Sequence, residues 1–146
     1  MTNLLLRPPV ATDRAHWNEL WNGYLRFYRA KLAPAVTETT WTRLLDPAEQ
    51  PHGLVAEIDG KLVGLAHYLF HRSAWTVGDF CYLNDLFVSE GARGHGAGRA
   101  LIEAVYAKAD EHGAERVYWL TQEFNADARA LYDTLARRTS FIQYRR

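Results

Sequence analysis

Four glycines and two arginines crowd one stretch, Gly91-Ala92-Arg93-Gly94-His95-Gly96-Ala97-Gly98-Arg99, directly after the apolar run Tyr82-Leu83-Asn84-Asp85-Leu86-Phe87-Val88. The pattern reads as a strand, a glycine-dense loop and the start of a helix. A helix start leaves backbone N–H groups without partners, and they converge on one point suited to phosphate oxygens. Glycines let backbone approach a ligand with no Cβ in the way. The chemistry to expect is therefore the holding of a phosphate-bearing molecule.

Counting tests the two commonest phosphate loops. A nucleotide P-loop needs Gly, four residues, then Gly-Lys-Ser/Thr. Gly91 and Gly96 have the right gap, but Ala97 and Gly98 stand where the lysine and hydroxyl are required. A dinucleotide fingerprint needs G-x-G-x-x-G, and Gly94 and Gly96 begin it, but Arg99 takes the third glycine position. Both readings are disfavoured.

The elements that must position this loop follow from periodicity. Leu4–Arg7 predicts a first strand, stopped by Pro8-Pro9. Trp17, Leu20, Trp21, Tyr24, Leu25 and Tyr28 recur at helical spacing after Asp13, and Pro34 should end that region. Thr37 is placed to cap a second helix, closed by Pro47. Leu54–Ile58 and Leu62–Phe70 flank Asp59-Gly60, a hairpin signal. Phe80–Val88 is the next strand. Leu101, Ile102, Val105, Tyr106 and Ala109 mark a helix stopped by Gly113. Arg116–Gln122 predicts a strand, Asn125 or Asp127 caps a helix carrying Leu131, Tyr132 and Leu135, and Phe141–Tyr144 predicts a last strand. Hairpins give antiparallel pairs, and the strand–helix–strand unit around the loop gives a parallel one. The expectation is one α/β domain over residues 1–146, a mixed sheet with helices on its faces.

Bulk properties narrow the partners. The chain has 146 residues, enough for a hydrophobic core, and a formal net charge of zero. That balance argues against nucleic acid or an anionic membrane as a main partner. Cys81 is the one cysteine and no long apolar segment occurs, so a cytoplasmic protein is expected. His67 and His71 lie four apart in a predicted strand with no partnering ligand cluster, and no metal is expected.

Arg93-x-x-Gly96-x-Gly98 resembles the pyrophosphate loop of the GCN5-related N-acetyltransferases. The resemblance extends to Tyr82–Val88 before the loop, to Tyr118-Trp119-Leu120-Thr121-Gln122-Glu123 after it, and to Asn125-Ala126-Asp127-Ala128-Arg129-Ala130-Leu131-Tyr132, which is similar to that family's N-x-x-A-x-x-L-Y signature. Within the family, the small fungal histone and D-amino-acid acetyltransferases look most similar, then the polyamine enzymes. The resemblance implies a twisted, mostly antiparallel sheet with a splayed parallel pair, acetyl-CoA as co-substrate, and a primary amine as acceptor.

The same resemblance implies site residues. The pyrophosphate would sit on Arg93, Gly94, His95, Gly96, Ala97 and Gly98, with Arg99 adding charge and Asn125 a contact. Leu86, Phe87 and Val88 would pair through their backbone with the pantetheine arm. Tyr132 matches the acid that protonates the departing thiolate, though it also fits its helix's apolar stripe. The polyamine enzymes carry a glutamate where this chain has Asn84, so Asp85 and Glu123 become the candidate bases, with strand alternation placing Asn84 and Asp85 on opposite faces. Trp21, Tyr24 and Tyr28 are candidates for the acceptor wall, through cation–π contact, beside the alternative of core or dimer packing. A homodimer is the family-level expectation. The alternative to an enzyme is a CoA-binding sensor or interaction module that has lost turnover.

Overall fold

The computed structural model describes residues 3–146. Five strands form one sheet in chain order: β1 (Leu4–Arg7), β2 (His52–Ile58), β3 (Lys61–His71), β4 (Phe80–Val88) and β5 (Arg116–Tyr118). The first three pairings are antiparallel and β4–β5 is parallel. Helices α1 (Arg14–Phe27) and α2 (Pro34–Leu44) cover one face, and α3 (Ala97–His112) covers the other, with α4 (Ala126–Leu135) beside it. No helix is long and apolar enough to cross a membrane among the described residues.

Two cores separate the layers. On the α1 side Trp17, Trp21 and Trp41 pack with Val55 and Leu65. On the α3 side Leu101, Ile102 and Val105 pack with Ala56, Ala66, Cys81 and Leu83. Cys81 is fully buried, and that burial pushes its thiol up to about 11, so it remains an inert small hydrophobe.

Several local expectations hold. Asp59 and Gly60 both have positive φ, at 50° and 82°, as a tight turn between β2 and β3 requires. Gly113 ends α3 in the left-handed region at φ 75°, where Ala114 N–H reaches back to the Ala109 carbonyl at 2.9 Å. Others differ. Pro34 opens α2 rather than ending the region before it, because the first helical position needs no N–H and suits a fixed φ; Thr37 accordingly lies inside the helix. β5 stops at Tyr118 instead of Gln122, and Phe141–Tyr144 forms no strand: Phe141, Ile142 and Tyr144 are 79%, 76% and 90% exposed, with no strand beside them to complete a ladder.

One irregularity reorganises a strand. The β3–β4 register runs from Tyr68↔Leu83 to His67↔Asp85, leaving Asn84 as an extra, bulged residue. The bulge reverses which face each later side chain meets. Cys81 and Leu83 point to the α3 core, whereas Phe87 joins the tryptophan core and Asp85 meets His67 under α1.

The start of α1 is fixed by charge. Arg7 grips both oxygens of Asp13 at 2.7 and 3.0 Å and Glu57 at 3.0 Å, while Asp13 also accepts the Val10 N–H at 2.8 Å. Asp13 is buried and lies one turn before Trp17, so this clamp sets the rotation of the aromatic face. The Arg7 hydrogen bond outweighs burial and holds the Asp13 carboxyl below its ordinary value. A depressed carboxyl stabilises the fold fully above its unfolded value of about 3.9 and loses that contribution as pH falls through the folded value. Arg7→Ala is expected to cost about 2 kcal/mol in urea unfolding at pH 7. Its penalty should shrink below about pH 4, where Asp13 protonates. A penalty unchanged at low pH would contradict the clamp.

Candidate active site

β4 loses its neighbour halfway along. Parallel pairing with β5 covers only Phe80 to Tyr82. Beyond it the Ser89 N–H is donated to the Val63 carbonyl on the β3 side at 2.8 Å. Alternation then turns the N–H and C=O groups of Leu86 and Val88 the other way, toward the gap left by β5. A cavity of about 540 Å³ opens there, walled by Leu86, Phe87 and Val88, by Tyr24, Phe27 and Tyr28 of α1, by the glycine loop, and by Asn125, Asp127, Ala128, Leu131 and Tyr132.

The loop meets this cavity as an anion site. Gly94 and Gly96 take positive φ of 90° and 79°, conformations that favour glycine. Gly96 is the N-cap of α3, and the first helical bond runs from Ala100 N–H to the Gly96 carbonyl at 3.0 Å. The N–H groups of Ala97, Gly98 and Arg99 precede that bond and have no helical acceptor, and all three residues line the cavity. Arg93 lines it too, with its Nε donated to the Val88 carbonyl at 3.3 Å. Arg99 is held by Thr134 at 2.7 Å and by Glu103 at 3.7 Å, which leaves its guanidinium at the rim. His95 is exposed and outside the cavity wall.

Tyr132 faces the same space from α4. Its ring meets Trp119 edge-on at 5.4 Å, and burial, with Tyr28 nearby, pushes its phenol up to about 12. It is therefore a protonated donor at neutral pH. Asn125 occupies the α4 N-cap, but its side chain makes no capping bond; it reaches Thr121 at 3.4 Å and lies against the Tyr28 hydroxyl.

The other candidates separate. Asp85 is not on the cavity wall but one layer behind it, 10% exposed, beside the Tyr24 phenol that is on the wall. Its Oδ2 receives His67 Nδ1 at 3.0 Å and Asn84 Nδ2 at 2.8 Å. Burial pushes this carboxyl up; the His67 hydrogen bond and the charge that ring would carry if protonated, with the bonds from Asn84 and Tyr24, pull it below its ordinary value. Tyr24 is raised well above a normal phenol by burial and by the Asp85 charge. Trp21 is buried between Trp17 and Tyr24 and supports the wall rather than forming it. Glu123 is 84% exposed, 3.6 Å from Arg138, and outside the cavity. His71 is bonded to Tyr118 at 2.6 Å. Sequence reading passed over His67 by testing it only as a metal ligand; its place opposite Asp85 depends on the bulge. Phe27, weighed with its α1 neighbours as an acceptor-wall aromatic, is on the wall; Asp127, Ala128 and Leu131 were missed, although Ala128, Leu131 and Tyr132 share one helical stripe.

Residues 16–136 match the Acetyltransferase (GNAT) family. The chain is 42% identical to a D-amino-acid N-acetyltransferase of Saccharomyces cerevisiae over 92% of its length and 84% of that protein's. It is 31% identical to a thialysine N-epsilon-acetyltransferase of Caenorhabditis elegans over 58% of this chain and 52% of that one. The fold superposes on an aminoglycoside N-acetyltransferase solved in complex with CoA, with a TM-score of 0.80, 18% identity, and 100% and 95% of the two chains covered. It also superposes on a ribosomal-protein-alanine N-acetyltransferase from Brucella melitensis biovar Abortus 2308, with a TM-score of 0.79, 21% identity, and 97% and 96% covered.

Proposed function

The chain belongs to the acetyltransferase (GNAT) family, and from that premise we propose how its cavity works. It is an acetyl-CoA-dependent N-acetyltransferase acting on amines. The observation that carries the assignment of roles is the open edge of β4 and the free N–H groups of α3 meeting in one cavity that Tyr132 also lines.

The pyrophosphate rests on the N–H groups of Ala97, Gly98 and Arg99, favoured by the α3 dipole and by the Arg93 charge. The pantetheine arm pairs with the backbone of Leu86 and Val88. The amine nitrogen attacks the thioester carbonyl carbon, and the oxyanion forms at the open β4 edge, where a backbone donor favours it. After attack the cationic nitrogen of the adduct loses a second proton to solvent; when the C–S bond breaks, the Tyr132 O–H gives its proton to the sulfur, and the phenolate regains one from solvent.

Magnitudes decide the role of Asp85. An alkyl ammonium has a pKa of about 10.4, and Asp85 sits below the ordinary 3.8. Direct transfer from a substrate ammonium to a carboxylate held below its ordinary range would be strongly uphill. Asp85 therefore acts as a fixed negative charge that draws the ammonium to the wall of Tyr24 and Tyr28. The proton leaves through solvent. The acceptor is a free amino acid, D-isomers included; the name of the S. cerevisiae relative supports that class. The exposed apolar tail around Phe141, Ile142 and Tyr144 supports a homodimer, and the single buried thiol supports a cytoplasmic setting. Residues 1–146 act as one catalytic domain with no nucleic acid, membrane or metal partner.

Thiol release from acetyl-CoA across L- and D-amino acids, polyamines and lysine peptides tests this reading. Turnover with amino acids is expected, and CoA binding with no turnover across the panel would sink it. Tyr132→Phe should lower kcat about 100-fold, with KM for acetyl-CoA within about twofold; unchanged kcat would remove the acid role. Acceptors of lower amine pKa should shift the acid limb of kcat/KM downward by the same amount. An acid limb fixed across acceptors would point instead to an enzymic base. Sedimentation equilibrium should give twice the chain mass; a monomer at all concentrations contradicts the dimer.

A further inference from the structure

Behind the acceptor wall lies a histidine that the transfer steps do not use. His67 is 1% exposed, on β3, opposite the bulge in β4. Its two ring nitrogens have different partners. The Trp17 Nε1–H, from α1, is donated to His67 Nε2 at 3.2 Å. Nδ1 faces Asp85 Oδ2 at 3.0 Å. Trp17 is fully buried, and an indole N–H can only donate. Nε2 must therefore be the unprotonated nitrogen, and the single imidazole proton sits on Nδ1, donated to Asp85.

That arrangement fixes a charge. A doubly protonated His67 would point an N–H at the Trp17 N–H, with no acceptor for either. The capped imidazole stays neutral, so the buried His67–Asp85 pair carries a net charge of −1. If the imidazole were charged, the pair would be neutral and would offer nothing to a cation.

We propose that Trp17 and His67 are positioning residues for acceptor selection: the indole keeps His67 neutral, and the neutral His67 presents Asp85 as an uncompensated anion that selects a primary ammonium as the acceptor's binding form. The proposal rests on the acetyl-transfer reading for its kinetic consequence, whereas the protonation of His67 stands on the Trp17 contact alone. The titratable groups facing the pair are the phenols of Tyr24 and Tyr28 from α1 and of Tyr82 from β4, all raised by burial, so none of them changes charge between pH 6 and 8.5.

The first measurement uses the unaltered protein. Nitrogen-15 NMR of histidine-labelled enzyme should show His67 as the Nδ1–H tautomer, with Nε2 unprotonated, from pH 8.5 down to pH 6. A His67 protonated on Nε2 at either pH overturns the proposal whether or not the enzyme turns over. The second measurement is kinetic. Trp17→Phe removes the indole donor while keeping an aromatic ring in the core, so that Nε2 is no longer held as an acceptor and can take a proton. KM for the amine should rise at least tenfold at pH 6 and return to within about threefold of the parent at pH 8.5, with KM for acetyl-CoA unchanged at both. His67→Asn supplies an N–H toward Asp85 and cannot become charged. It should keep the parent's flat pH response of KM, alone and combined with Trp17→Phe. A pH-independent rise in KM for Trp17→Phe, or no rise at all, would contradict the proposal. Absence of turnover in the parent would instead refute the acetyl-transfer reading and leave the NMR result standing.

Discussion

Beyond Tyr82 the backbone of β4 carries polar groups on one side with no strand to receive them. An unpaired backbone donor or acceptor kept from water costs free energy comparable to a lost hydrogen bond. Most proteins close such an edge. Here β5 ends after three residues, and the space it leaves is the cavity. The glycine loop, the start of α3 and Tyr132 all border that edge, and in the proposed reading a ligand lying along it would satisfy the Leu86 and Val88 groups and bring its phosphates to the N–H groups of Ala97, Gly98 and Arg99.

The bulge at Asn84 supplies the second half of the design. A strand with unbroken alternation would have sent Asp85 into the α3 core beside Leu83, where an isolated carboxylate is costly. One extra residue turns it instead toward α1, where His67 and Asn84 donate to it and the tryptophan core packs around its partner. The Arg7–Asp13–Glu57 clamp holds the rotation of α1 that makes this contact possible. A polar cluster, a packed aromatic layer and an open strand edge are thus one construction, which joins the donor side of the site to the acceptor side.

Much of this was legible in the sequence. The loop, the strand before it and the stripe on α4 announce themselves locally: glycines at fixed offsets, apolar alternation and helical spacing. Phe80–Val88 was read to the residue, and Gly113 was read as a helix stop. What was not legible depended on counts between distant strands. No local feature marks Asn84 as bulged, since the extra residue exists only relative to β3. Without it, the meeting of Asp85 with His67 could not be foreseen, and His67 was tested only for metal. Glu123 stands just past the expected strand end at Gln122, where the splay would face it to the site, but β5 ends at Tyr118, and the side chain turns to solvent beside Arg138. Pro34 misled for the opposite reason: its chemistry fits a helix start as well as a stop, and only the chain around it decides.

The central claim is that CoA completes the unpaired edge of β4. Amide hydrogen exchange at Leu86 and Val88, followed with and without CoA, tests it directly. If exchange occurs only from the unliganded protein, both amides should slow about 100-fold at a CoA concentration 100 times Kd. Saturable CoA binding with both amides still exchanging at their free-protein rates would contradict the account.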